Sequence, residues 1–178
     1  MSKRIAVLVS GGGTNLQALI DAQGRGELGG GQICAVVASK PGVYALERAA
    51  QASIPSYVVA RKDYPSSQAF TIALVDQLRA LDIDLVVLAG FLVILTGEMV
   101  RAFPNAILNV HPALIPSFSG EGCYGLHVHE KALEYGVKVT GATVHFVSEE
   151  CDGGPIVLQR AVDILEGDTP EVLQRRVM

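Results

Sequence analysis

The chain has 178 residues, of which 49% are apolar and 18% charged, and its formal net charge is −4. This length and composition indicate one globular domain and exclude an intrinsically disordered chain. The negative charge argues against a nucleic-acid surface, which needs a basic stripe, but it allows a small anionic substrate held by backbone amides at a helix start.

The cysteines predict free thiols in a reducing compartment. Cys34, Cys123 and Cys151 are odd in number, far apart and in no CxxC spacing, which argues against a disulfide framework or a zinc site. The apolar run at residues 5–9 is short and ends in glycines, so it predicts a first strand rather than a signal peptide. No apolar run approaches the length of a bilayer-spanning helix. We therefore expect a soluble cytoplasmic protein without membrane or nucleic-acid partners.

Apolar runs alternate with helical periods along the chain, which is typical of parallel strands joined by right-handed crossovers. Residues 137–148 and 156–162 predict an added antiparallel hairpin, with a bulge at Gly141. The predicted fold class is α/β, a Rossmann-like, mostly parallel twisted sheet with helices on both faces. The other predicted strands are residues 4–9, 33–38, 56–59, 84–89 and 106–110, and the predicted helices begin at residue 16 and cover residues 44–52, 66–81, 96–103 and 125–135, with a last helix starting near residue 168.

A glycine-rich loop, residues 10–15 with the sequence SGGGTN, follows the first strand and leads into a helix beginning at Leu16. Glycines allow a ligand to approach the backbone, and the first amides of a helix attract anions. A dinucleotide loop would have a third glycine where Leu16 stands, and the Lys-Ser/Thr pair of a triphosphate loop is missing. The loop therefore predicts a cradle for a lone phosphomonoester, with a purely structural turn as the alternative.

A second candidate binding segment follows the fourth strand. Residues 91–95, with the sequence FLVIL, are wholly apolar and come directly after Gly90, at the kind of strand end where ligands bind in such sheets. They predict a surface for an apolar ring system. A segment that packs against a helix is the alternative.

The candidate catalytic pair lies at the end of the fifth strand. Asn109 and His111 are two residues apart, so their side chains point the same way in a strand, and Pro112 marks its exit. An amide donor beside a titratable ring suits a reaction that builds negative charge on an oxygen. The alternative is a polar strand end with a solvated histidine.

Three further polar residues are weighed against simpler interpretations. Asp152 lies in a turn-rich loop that can fold over the strand ends near His111, or it is a turn residue before glycine. His127 and His129 are two residues apart at a predicted helix start, whereas metal-binding histidines on a helix prefer a spacing of four. We therefore expect no metal site.

Five segments, in this order and spacing, resemble the phosphoribosylglycinamide formyltransferase family over essentially the whole chain. Each segment alone is a modest signal, but the set is highly specific. The segments are VSGGGTNLQ at 9–17, LAGFL at 88–92, LNVHPALIPSF at 108–118, GVKVTGATVHFV at 136–147 and DGGPIVLQ at 152–159.

The resemblance implies a function. A formyl group would pass from 10-formyltetrahydrofolate to the glycinamide amine of 5'-phosphoribosylglycinamide, in purine biosynthesis, by direct attack through a tetrahedral oxyanion and without a metal. By matching motifs, the resemblance implies phosphate binding by Gly13, Thr14 and Asn15, folate binding by Leu92, Val93, Ile94, Leu95 and Asn109, and catalysis by Asn109, His111 and Asp152.

The chain departs from the family pattern at Ser67 and Val93, and it stops at Met178, before an acidic-His segment that in the family helps to hold the substrate ribose. We therefore expect a single formyltransferase domain over residues 1–178, truncated in its C-terminal helix, with a homodimer left open. Two alternative functions are a formyltetrahydrofolate deformylase-like hydrolase, which hands the formyl group to water, and a non-catalytic module that binds a phosphate ligand.

Overall fold

The computed structural model describes residues 2–178, which divide into two compact units, one ending at Leu108 and the other beginning at Asn109. The strands are hydrogen-bonded in the order β3-β2-β1-β4-β5-β6-β7, so the expected α/β class with a mostly parallel sheet is confirmed. The strands are β1 (Arg4–Val9), β2 (Gln32–Ala38), β3 (Ser56–Val58), β4 (Leu85–Leu88), β5 (Ile107–His111), β6 (Val139–Phe146) and β7 (Ile156–Asp163). The helices are α1 (Thr14–Gly24), α2 (Tyr44–Gln51), α3 (Ser67–Ala80), α4 (Gly97–Ala102), α5 (Leu126–Tyr135) and α6 (Pro170–Val177), with a 3-10 turn at Arg61–Asp63 that the sequence did not predict.

In the first unit, β1 is the central strand and pairs in parallel with β2 on one side and β4 on the other. Its last four residues, from Ala6 to Val9, are fully buried, as a strand covered on both faces should be. The chain runs outward through β2 and β3 and then returns to β4. The carboxyl ends of β1 and β4 therefore flank a topological switch point, where ligands bind in sheets of this kind.

The glycine-rich loop after β1 has a local reason for one of its glycines. Gly13 has a φ of 73° and caps α1 without a side-chain hydrogen bond, so the helix begins two residues before the expected Leu16. A Cβ at this position would lie 2.8 Å from the Cβ of Ala45 on α2. Both the left-handed backbone and the close packing of α2 therefore require glycine here.

In the second unit, β6 and β7 form the expected antiparallel hairpin, with Thr143 opposite Gln159. The bulge expected at Gly141 is wrong, because the register shift lies between Val144 and His145. Gly141 serves a different purpose, since a Cβ on it would lie 1.9 Å from the carbonyl oxygen of Arg160 on the paired strand. The glycine allows close approach of two backbones.

Within residues 2–178, no helix has both the length and the apolar character needed to cross a bilayer.

The backbone contact at Gly141 leads to a stability prediction. Replacing Gly141 by alanine forces β6 away from β7, so we expect the free energy of unfolding to fall by about 1–3 kcal/mol, as for other overpacked sites. Gly24→Ala is the matched control, because a Cβ at Gly24 meets nothing within 4 Å and alanine favours a helix. Denaturant unfolding of both variants measures the difference, and equal stabilities would contradict this account of Gly141.

Candidate active site

The second unit brings together the three polar residues proposed for catalysis. The β5 strand ends at His111 before Pro112, and Asp152 lies in the loop that joins β6 to β7. The distance from His111 Nδ1 to Asp152 Oδ2 is 3.5 Å. A third group, the ring of His145 near the end of β6, places its Nε2 3.6 Å from Asp152 Oδ1 and 3.1 Å from Asn109 Nδ2. The carboxylate thus lies between two imidazoles, and the carboxamide contacts one of them.

The ring of His111 is 4% exposed and has an oxygen at each nitrogen. Its Nε2 lies 2.8 Å from the carbonyl oxygen of Phe118, and because a carbonyl only accepts, Nε2–H donates this hydrogen bond. Its Nδ1 faces the carboxylate of Asp152 at a distance too long for a good hydrogen bond. Two facing oxygens suit an imidazolium, whose nitrogens both donate, and Nδ1 remains the nitrogen that can turn to a substrate.

Asp152 is held as an anion by its surroundings. Burial raises its pKa, but the contacts with the His145 and His111 rings and a hydrogen bond from the Gly120 amide outweigh burial, and the pKa lies below its ordinary value. The Gly120 N–H donates to Oδ2 over 2.9 Å. The backbone of Asp152 has a φ of 53°, a left-handed conformation that is uncommon outside glycine and that Asp tolerates better than most residues.

His145 was not among the predicted site residues, and its hydrogen bonds determine how Asn109 is oriented. Its Nδ1 lies 2.9 Å from the carbonyl oxygen of Phe146, so Nδ1 carries the proton in the neutral ring and Nε2 is an acceptor. The donor within hydrogen-bond range of Nε2 is Asn109 Nδ2. The second N–H of the Asn109 carboxamide is then left for another acceptor.

The loop that follows β5 is fixed to the hairpin by one hydroxyl. Thr143 Oγ1 donates to the carbonyl of Ala113 over 2.7 Å and accepts from the amide of Ile115 over 3.1 Å. Gln159 on β7 donates to the same hydroxyl and to the carbonyl of Ile115, each over 3.0 Å. These bonds hold the backbone that leaves His111.

The two remaining predicted segments lie side by side in the first unit, at the switch point. The amide of Ser10 donates to the carbonyl of Gly90 over 3.2 Å, and the amide of Leu92 donates to Ser10 Oγ over 3.0 Å. Residues 91–96 have no regular secondary structure. Leu92 and Ile94 are 58% and 76% exposed, so this segment presents apolar side chains to solvent.

The alternate residues Phe91, Val93 and Leu95 of the segment 91–95 are less exposed. Phe91 stacks on the buried ring of Phe70, with centroids 6.4 Å apart, and Val93 and Leu95 are half-buried. Phe91 anchors the segment while Leu92 and Ile94 stay accessible. At the start of α1, Thr14 is exposed and Gly13 and Asn15 are half-buried.

Arg48 on α2 is a second residue that the sequence analysis missed. Its Nε donates to the carbonyl of Gly12 over 2.8 Å. The sequence offered no signal for this contact beyond a basic residue on a helix.

The two histidines of α5 have separate surroundings. His127 is exposed and lies 2.7 Å from Glu130, whereas His129 is fully buried with both ring nitrogens lacking a hydrogen-bond partner among residues 2–178. Burial and the nearby charge of His111 lower the pKa of His129. Within the described part of the chain, no group of three or more His, Cys, Asp or Glu side chains is arranged to hold a metal ion.

Comparisons with known proteins identify the family of the chain. A family model described as Formyl transferase matches residues 3–178. The phosphoribosylglycinamide formyltransferase of Haemophilus influenzae is 44% identical over 174 residues, which are 98% of this chain and 79% of that protein. The crystal structure of glycinamide ribonucleotide transformylase 1 from Symbiobacterium toebii has a TM-score of 0.93 and 46% identity, covering 99% of this chain and 80% of that one.

A longer relative is the trifunctional purine biosynthetic protein adenosine-3 of Drosophila melanogaster. It is 44% identical over 176 residues, which are 98% of this chain. The chain spans 13% of the length of that protein.

The α/β sheet and these matches define a one-carbon group transferase. The chain belongs to the formyl transferase family. Membership implies a folate-type formyl donor and small-molecule substrates. The comparisons confirm the resemblance, the fold class and the expectation of a formyltransferase enzyme, whereas the roles of single site residues, the single truncated domain and the cytoplasmic location stay predictions.

The charge of Asp152 leads to a prediction about stability and pH. Because its pKa is lower in the folded protein, ionised Asp152 stabilises the fold at any pH above the ordinary value of about 3.9, and this contribution is lost as the pH falls through the lower folded pKa. We expect Asp152→Asn to lower the free energy of unfolding at neutral pH, and the gap to wild type to close below about pH 4. Denaturant unfolding between acid and neutral pH tests this, and a gap that widens towards acid would contradict it.

Proposed function

We propose that the chain transfers the formyl group of 10-formyltetrahydrofolate to the glycinamide amine of 5'-phosphoribosylglycinamide, a step of purine biosynthesis. The observation that supports this most is the cluster of Asn109, His111 and Asp152, with 3.5 Å between the His111 ring and the Asp152 carboxylate. A buried imidazole beside an anion and a carboxamide donor are the groups that an acyl transfer through an oxyanion requires. The membership of the family supplies the reaction class.

In the first step the substrate amine attacks the formyl carbon, an N–C bond forms, and the carbonyl oxygen becomes an oxyanion. The free N–H of Asn109 donates to this oxygen, while the other N–H stays on His145 Nε2. His111 donates from Nδ1, because its Nε2–H is held by the carbonyl of Phe118. Donors aimed at a charge that exists only in the transition state lower the barrier.

In the second step the intermediate collapses and the bond from the formyl carbon to N10 of the folate breaks. The attacking amine has to lose a proton and N10 has to gain one. We assign the first transfer to Asp152, which is held as an anion and accepts the proton through a water molecule. Asp152 then returns the same proton through water to N10 as the C–N bond breaks, and it is again an anion at the end of the cycle. The proton balance then closes without a covalent intermediate on the protein.

The first unit supplies surfaces for the two substrates. The amides of Gly13, Thr14 and Asn15 at the start of α1 suit the phosphate of the ribonucleotide. Residues 92–95 suit the pterin ring, because Leu92 and Ile94 are apolar and exposed while Val93 and Leu95 hold the segment. Asn109 would also contact the formyl-bearing part of the folate.

An assay of formylfolate consumption with and without 5'-phosphoribosylglycinamide tests the proposed reaction. We expect consumption only when the ribonucleotide is present, with formation of its formylated product. Equal consumption without the ribonucleotide would replace the proposal with a hydrolase that uses water. Ribonucleotide binding without any consumption would replace it with a binding module.

Replacing Asn109 by alanine removes one oxyanion donor, so we expect kcat to fall by about 10²–10³-fold, the usual effect of losing such a donor. His127→Ala is the control, because His127 is exposed and contacts Glu130 on its own helix. Circular dichroism and thermal unfolding check that both variants fold. A near-normal kcat for Asn109→Ala, in an enzyme active as wild type, would remove Asn109 from the mechanism.

A further inference from the structure

Arg48 is fixed on three sides beside the glycine-rich loop of the first unit. Its Nε donates to the carbonyl of Gly12 over 2.8 Å, and its Nη1 donates to Gln17 Oε1 over 3.0 Å. Its guanidinium carbon lies 4.9 Å from the centroid of the Tyr44 ring, within the range of a cation–π contact. Gln17 is itself held by a 2.9 Å hydrogen bond to Asp21. The guanidinium therefore has one defined orientation towards the loop.

Two successive carbonyls of the loop point to α2. The carbonyl of Gly11 accepts from the amide of Ala45 over 3.2 Å, and the carbonyl of Gly12 accepts from Arg48. In a planar trans peptide the C=O and the following N–H point in opposite directions. The N–H groups of Gly12 and Gly13 therefore point away from α2, and both carbonyl oxygens are withdrawn from that side.

Of the two hydrogen bonds to the loop carbonyls, the one from Arg48 is donated by a side chain, so a substitution can remove it. Gly12 is exposed, and glycine peptides rotate easily because no Cβ restricts them. Without Arg48, the peptide between Gly12 and Gly13 can turn its carbonyl oxygen towards an approaching anion, which then meets repulsion in place of a donor. The exposed carbonyl finds water in either orientation, so the cost falls on anion binding more than on folding.

We propose that Arg48 is a positioning residue for the phosphate of the substrate: by holding the Gly12 carbonyl against α2, it keeps the Gly13 N–H donor of the same peptide facing the anion. The identity of that anion, the phosphomonoester of a ribonucleotide, rests on the proposed function. The orientation of the loop does not depend on the proposed function.

The test compares Arg48→Met, Arg48→Lys and Arg25→Met in the full chain. Arg25→Met is the matched control, since it removes the same charge from an exposed residue of the same unit that pairs with Glu27. The measurements are KM for each substrate, kcat, the affinity for inorganic phosphate by calorimetry, and thermal unfolding.

We expect Arg48→Met to raise KM for the ribonucleotide and Kd for inorganic phosphate by about tenfold or more, in line with the loss of charge-assisted hydrogen bonds. KM for the formylfolate and kcat should change by less than about twofold, since one substrate alone uses this loop. Arg48→Lys should be intermediate, because lysine keeps the charge but lacks the fork that reaches Gly12 and Gln17 together. Arg25→Met should match wild type.

Several outcomes would overturn the role of Arg48. Unchanged ribonucleotide KM and phosphate affinity in Arg48→Met would do so and would leave the proposed function standing. A rise in both KM values together with a lower unfolding temperature would show a general structural role, and wild-type behaviour of Arg48→Lys would reduce the role to charge. If the wild type fails to formylate the ribonucleotide while Arg48→Met still weakens phosphate binding, the proposed function falls and the role of Arg48 stands.

Discussion

The candidate catalytic cluster depends on one buried carboxylate and the groups that face it. Asp152 is 11% exposed, and an unpaired anion at that depth would be costly. The amide of Gly120 and the ring of His111 offset that cost from two different segments of the second unit. Removing any of these partners would leave a buried charge incompletely paired. The charge of Asp152 therefore holds these segments together at the candidate site.

The glycine-rich loop in the first unit is also oriented by hydrogen bonds, but there the groups that need partners are backbone carbonyls. To bind the proposed phosphate it has to present donors, so its carbonyl oxygens must be satisfied elsewhere, and α2 satisfies them through Ala45 and Arg48. The close approach that makes this possible is also what requires glycine at Gly13.

The sequence predicted the parts of the molecule that local patterns determine. The strand at Arg4–Val9 was found at its observed bounds because a strand covered on both faces is a continuous apolar run. The start of α3 follows from Ser66, whose side chain accepts from the Ala69 amide. The start of α1 was placed too late, since Gly13 caps the helix without a side-chain signal. Gly141 was read as a bulge because sequence does not distinguish a bulge from close contact with the paired strand.

The site could be predicted only where residue type carries the signal. The spacing of Asn109 and His111 in a strand and the position of Asp152 before two glycines were visible, and the resemblance supplied their roles. His145 and Arg48 were missed because each acts through a contact 36 residues away in the chain. The carbonyl of Phe118 and the amide of Gly120 were missed because backbone groups are present at every residue and so carry no signal of residue type.

The two histidines of the cluster show how backbone contacts that the sequence does not reveal determine which ring nitrogens donate and which accept. His111 has an oxygen acceptor at both nitrogens, a carbonyl and a carboxylate, so its ring is set up to donate. His145 has a carbonyl at Nδ1 and a carboxamide donor at Nε2, so its neutral ring both donates and accepts. A hydrogen-bond chain thus runs from the carbonyl of Phe146 through His145 to Asn109, and it leaves one carboxamide N–H for the proposed oxyanion. Without these contacts, the carboxamide of Asn109 could turn either its oxygen or its nitrogen to the same side. The hydrogen bond to His145 selects the orientation in which an N–H donor is presented.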